Sequence, residues 1–185
     1  MNQTTQNLAC INKLGYLSEP RDIYSGDYYL HEGLQFLCHE IKKNEAHTLL
    51  KIAQQLVALI PNNTTIIPIP SHKGYATYTL TLAYLISELN PSIIVDNRLV
   101  GKHREKLYDL KINNEQINNQ FFEFKDISKK PLINPYLLDN VYDTGTTIKA
   151  ARKALNNESI PYVVLAKVIT PKLNILYNNI IHIFD

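Results

Sequence analysis

The chain reads as an α/β domain with a mostly parallel sheet flanked by helices. Three observations predict this. Apolar residues recur at helical spacing over 46–60 and 75–89, short β-branched or leucine-rich runs stand at 64–69, 93–95, 136–138 and 162–168, and the two kinds of segment alternate. Alternation of this kind gives parallel strands, because each helix carries the chain back to start the next strand in the same direction. The 185 residues suit a single domain. A hydrophobic content of 45% against 19% charged residues excludes disorder driven by charge.

Each element has a local cause. Ala46, Leu49, Leu50, Ala53, Leu56, Val57 and Ile60 fall on one helical face, and Pro61 ends the helix. The pair Asn62-Asn63 makes a turn into the strand expected at 64–69. Tyr75, Tyr78, Leu82, Leu85, Ile86 and Leu89 form a second stripe that stops at Asn90-Pro91, and Ile93-Ile94-Val95 is expected as a short buried strand. Residues 97–134 are charged and amide-rich with poor periodicity. They read as a long excursion with a short hairpin near Phe121 and Phe122, and loops of that length are usually functional. A strand then leads to Asp139, a turn runs to Thr147, a helix covers 148–155 and a last strand 162–168.

Composition narrows the function without naming it. The net charge is +2, with basic residues concentrated only over 98–106, so strong non-specific nucleic-acid binding is not expected. No apolar run approaches the ~18 residues of a membrane span, and 1–13 lacks a secretory signal pattern. Cys10 and Cys38 make no disulfide framework, which points to a reducing, cytoplasmic setting. His31, His39 and His47 recur every eight residues, a spacing that does not converge on a metal.

In parallel sheets ligands gather beyond the carboxyl ends of the strands. Three of the six glycines, Gly74, Gly101 and Gly145, fall where those loops are expected. The richest segment is 135–147. A hydrophobic strand delivers Asp139 to the sheet edge, and Asp143-Thr144-Gly145-Thr146-Thr147 turns into a helix. Such a turn offers free amides, a positive helix end and three hydroxyls, an anion site that needs no lysine. A carboxylate four residues upstream suits vicinal sugar hydroxyls. The competing reading is an Asp or Thr cap on an ordinary helix.

This segment resembles the phosphoribosyl diphosphate (PRPP) motif of type I phosphoribosyltransferases, without a gap over 135–147. The resemblance implies that fold, with 64–170 as the PRPP-binding core and 1–63 as a small N-terminal hood and helices; Tyr24, Tyr28 and Tyr29 either face a base there or belong to the core. It implies that Asp143, Thr144, Gly145, Thr146 and Thr147 hold the 5′-phosphate and that Asp139 binds the ribose hydroxyls and magnesium. Asn140 departs from the pattern, standing at the second acidic position. Asp143 matches the acidic residue of hypoxanthine-guanine-type members, which favours a purine acceptor.

Residues 66–74 resemble the pyrophosphate loop of the family, closest to ComF-like members, with Ser71, His72, Lys73 and Gly74 as diphosphate contacts. Arg98, Lys102, His103, Arg104 and Lys106 correspond by order to its flexible catalytic loop, and Lys167 lies where purine enzymes touch the base. The expected activity is transfer of ribose 5-phosphate from PRPP to a nucleobase, with magnesium as cofactor and Asp139, Asp143 and Arg104 as catalytic residues; members often form homodimers. Two alternatives stay open: a non-catalytic, ComF-like PRPP or nucleotide binder in DNA uptake or regulation, and a homodimeric aspartic protease built on Asp143-Thr144-Gly145.

Overall fold

In a computed structural model, residues 22–30, 32–105, 123–128 and 130–169 are described. They form a five-stranded sheet of parallel strands in the order β1-β7-β6-β2-β3. Its strands are β1 (Ile23–Tyr24), β2 (Thr65–Pro68), β3 (Ile94–Val95), β6 (Pro135–Tyr142) and β7 (Tyr162–Lys167). Helices α1 (Glu32–Glu40), α2 (Ala46–Val57), α3 (Tyr78–Leu89) and α4 (Thr146–Ala154) flank it, and a 3₁₀ turn, Ile41–Lys43, links α1 to α2. A separate antiparallel ribbon pairs β4 (Leu99–Gly101) with β5 (Phe124–Asp126).

The central strands β2, β6 and β7 are buried on both faces over most of their length, and their side chains sort by the two-residue period of a pleat. Tyr136 and Leu138 join Ile66, Val163 and Leu165 in a cluster with Leu34, Leu49, Ile52, Leu56, Leu82 and Ile86 from α1, α2 and α3. Leu137 points the other way and joins Ile67, Ile69, Tyr162 and Val164 against Ile148, Ala151 and Leu155 of α4, with Leu99 and Phe124 of the ribbon. Three helices thus cover one face, and one helix with the ribbon covers the other. No helix among the described residues is long and apolar enough to cross a membrane.

The helices over 46–57 and 78–89 and strands β2, β6 and β7 lie where periodicity places them. Four expectations change. Residues 22–57, expected as part of a hood and its helices, also join the core: β1 extends the sheet beside β7, and α1 and α2 bury their apolar stripes in the main cluster. Strand β3 is an edge strand, not a buried one, with Ile94 64% exposed. Tyr75 stands exposed ahead of α3, outside its apolar stripe. The excursion over 97–134 begins and ends in the β4–β5 ribbon, which pairs Leu99 with Asp126. The hairpin expected at Phe121 and Phe122, together with Cys10, His31 and Lys106, lies outside the described residues.

Candidate functional site

Strands β2 and β6 are neighbours, yet the chain leaves them in opposite directions. From β2 it crosses through α3 to β3 at one edge, and from β6 through α4 to β7 on the other side. Their carboxyl ends stay side by side, with Ile69 N–H donating to the Leu138 carbonyl at 3.0 Å. Diverging connections leave a crevice beyond such a pair, the usual ligand position in an open α/β sheet. The segments 69–77 and 143–146 border it.

The turn after β6 is built to present donors. Asp143, Thr144 and Thr146 are exposed and Thr147 is half-buried. Gly145 caps α4 in the left-handed region at φ 75°, and its carbonyl accepts the first helical bond, from Lys149 N–H at 2.9 Å. The amides of Thr146, Thr147 and Ile148 open the helix and so have no carbonyl one turn back. The hydroxyls of Thr144 and Thr146 are 2.8 Å apart. Amides, hydroxyls and the positive helix end therefore converge on one small exposed surface.

A stack of rings seats this turn from below. A Cβ on Gly145 would collide with the Tyr142 hydroxyl and lie 2.7 Å from Tyr142 Cζ. Tyr142 stacks on Tyr162 with centroids 4.7 Å apart, and the Lys167 ammonium lies 5.2 Å from the ring centroids of Tyr142 and Tyr24. Lys167 is thus surrounded by the rings of Tyr24, Tyr142 and Tyr162. Tyr28 is also close: its hydroxyl is 3.3 Å from His39 Nε2, and Asp143 is among the charges that add to the rise burial gives its phenol.

Asp139 stands near the end of β6, where burial pushes its carboxyl up to about 6. The Asn140 N–H donates to its Oδ1 at 2.8 Å, and this bond with the charges of Lys42 and Arg104 opposes the rise. Arg104 is half-buried. Burial lowers its pKa, and Asp139 and Tyr78 work in the other direction. Two of the residues expected to act together, Asp139 and Arg104, do share one neighbourhood, although Arg104 is separated from Asp139 by most of the excursion. Lys42, Tyr78 and Cys38 belong to this neighbourhood too and were missed by sequence reasoning, since the 3₁₀ turn and α1 carry no ligand pattern and Tyr78 reads as part of the apolar stripe of α3.

Other expected contacts are placed differently. The Ser71–Gly74 loop folds on itself, which occupies the amides of Ser71, Lys73 and Gly74. Ser71 N–H donates to the Tyr75 carbonyl, Lys73 N–H to Ser71 Oγ, and Gly74 N–H to the Ser71 carbonyl. Its exposed Lys73 and half-buried His72 remain as side-chain contacts. Gly74, at φ 88°, also lets the 101–104 segment pack against the loop: Gly101 N–H donates to the Gly74 carbonyl and Arg104 N–H to the His72 carbonyl, both at 2.8 Å. The rings of His72 and His103 meet edge-on at 6.4 Å.

Arg98 is not a loop cation turned to a ligand. It is 3% exposed and holds Asp96 (Nε to Oδ2, 3.0 Å), Asp126 (3.4 Å) and the Lys130 carbonyl (3.0 Å), tying the ribbon to the sheet. Lys102 is exposed and pairs with Glu123 at 3.1 Å across the ribbon. Asn140 is turned into the core, donating to the Cys38 carbonyl and accepting from the Tyr78 hydroxyl.

Magnesium that arrives with a diphosphate is bound by one or two carboxylates plus phosphate oxygens. Asp139, a carboxyl on the strand that leads into the turn 143–147, would fit that modest demand, and Asn140 adds nothing to it because both ends of its amide are used. No protein-family model matches the chain, and no curated protein matches it.

Proposed function

We propose that the crevice beyond β2 and β6 binds PRPP and that the protein transfers ribose 5-phosphate to a nucleobase, purine favoured, with release of diphosphate. The observation carrying this reading is the hydroxyl-rich turn 143–147, exposed at Asp143, Thr144 and Thr146, opening α4 at the reversal point of the sheet, with Asp139 upstream on β6. The 5-phosphate sits on the turn, and the Asp139 carboxylate accepts from the ribose hydroxyls and holds the magnesium. Bound there, magnesium supplies charge that eases departure of the diphosphate. A base nitrogen forms the new bond to C1 while the C1–diphosphate bond breaks. Catalysis is then mostly positioning, with Arg104, Lys73 and His72 placed to offset the diphosphate charge and Asp143 to serve the base.

A second reading, a PRPP or nucleotide binder without turnover, is favoured by the commitment of Asn140 and Arg98 to the scaffold, which leaves a thin catalytic set. The protease reading lacks support, since Asp143-Thr144-Gly145 opens a helix beside a parallel sheet instead of closing a β-loop. Incubation with magnesium, labelled PRPP and a panel of bases separates the first two. Diphosphate release with one base supports transfer. PRPP binding without release supports the binder, and no binding of PRPP at all overturns both.

A further inference from the structure

We infer that Asn140 is a positioning residue that holds Asp139 in place, and that an acidic residue at this position would damage the site rather than complete it. The inference rests on the ribose 5-phosphate reading of the crevice. Asn140 is 7% exposed, and each polar atom of its side chain is used. Nδ2 donates to the Cys38 carbonyl of α1 at 3.2 Å, and Oδ1 accepts from the Tyr78 hydroxyl of α3 at 3.1 Å. The Cys38 thiol reaches back to the Asn140 carbonyl at 3.8 Å. Two helices and the central strand are thus pinned at one residue.

The same residue's N–H donates to Asp139 Oδ1 at 2.8 Å. The clamp therefore fixes the donor that orients the sugar-binding carboxylate. An amide fits because one end donates and the other accepts. An aspartate would set a carboxylate oxygen against the Cys38 carbonyl, with no donor between them and a second carboxylate one residue away. The side chain that replaces the expected acid is thus a specific lock and not a vacancy.

The test uses the full chain with Asn140→Asp, Asn140→Ala and Tyr78→Phe, at a temperature where circular dichroism shows each variant folded. Calorimetry or NMR titration compares ribose 5-phosphate, which spans Asp139 and the turn, with inorganic phosphate, which needs only the turn. Asn140→Asp is expected to weaken ribose 5-phosphate binding about ten-fold or more while phosphate affinity holds. Its melting midpoint should fall by roughly 10 °C, further than that of Asn140→Ala, because an unpaired charge is buried. Tyr78→Phe should show a smaller loss of the same kind. Unchanged or tighter sugar-phosphate binding in Asn140→Asp overturns the inference, and so does an equal loss for both ligands, the mark of a merely structural role. If the wild type binds neither ligand, the proposed function fails; the lock then stands or falls on the midpoints alone, and is overturned if Asn140→Asp melts no lower than Asn140→Ala.

Discussion

Gly145→Ala perturbs the turn 143–147 at a point where the cost can be worked out. The residue holds φ 75°, and an L side chain there costs roughly 1–2 kcal/mol. The new methyl would also fall on the Tyr142 hydroxyl and 2.7 Å from Cζ, so the phenol must move. Moving it disturbs the stack on Tyr162, worth about 0.5–1.5 kcal/mol, and the Lys167 ammonium contact, worth about 0.5–1 kcal/mol. The sum is about 2–4.5 kcal/mol, or a fall of roughly 5–15 °C in melting midpoint for a chain of this size. Urea and thermal unfolding measure it, and a double-mutant cycle with Tyr142→Ala isolates the collision. Truncating the ring leaves the backbone strain and removes the clash, so the two changes together should cost less than their sum. A Gly145→Ala chain within about 0.5 kcal/mol of wild type, or strict additivity with Tyr142→Ala, would refute the seating of the turn on this ring.

Three further outcomes are expected. Arg98→Ala removes the cation between Asp96 and Asp126 and should cost about 3 kcal/mol in urea unfolding, whereas Lys102→Ala, breaking an exposed pair, should cost under about 1 kcal/mol. Equal costs would contradict the scaffold role of Arg98. Asp139→Asn should weaken ribose 5-phosphate binding yet raise stability at pH 7. Because the folded carboxyl sits at about 6, above its unfolded value, its favourable contribution is present below pH 4 and lost as pH rises through 6; destabilisation at pH 7 would contradict this. Burial pushes the Cys38 thiol up to about 12, so in a Cys10→Ser chain alkylation at pH 8.5 should be roughly a thousand-fold slower than in urea. The corresponding stability persists below the unfolded thiol value and fades only as pH rises through 12. Comparable native and unfolded rates would show the thiol exposed.

What the sequence made legible were elements whose cause is local. Tyr136-Leu137-Leu138 is apolar on both pleat faces because both faces are covered, and Thr144-Gly145-Thr146-Thr147 is followed by a run of good helix formers, which marks the helix start found there. Less legible were features set by distant partners. Ile23 and Tyr24 form a strand only because β7 accepts them, and two residues carry no period of their own. Arg98 looks like its neighbours in a basic run until Asp126 arrives across the ribbon. Asn140 reads as a weakened acid until Cys38 and Tyr78, 102 and 62 residues away, claim its two ends. The self-bonded 71–74 loop was equally hidden, since Pro and Gly mark a turn without saying where its amides go.

The pairing of Ile23 with Val163 also sets an order of events during synthesis. The segment made early must wait for nearly the last described strand before it finds its ladder, and β6 likewise has no neighbour on that side until β7 emerges. A nascent chain halted before residue 162 would leave the strand carrying Asp139 with an unpaired edge, open to association with other chains. Closure of the sheet on the β1 side of β6 is therefore a late step, reached only when β7 has left the ribosome.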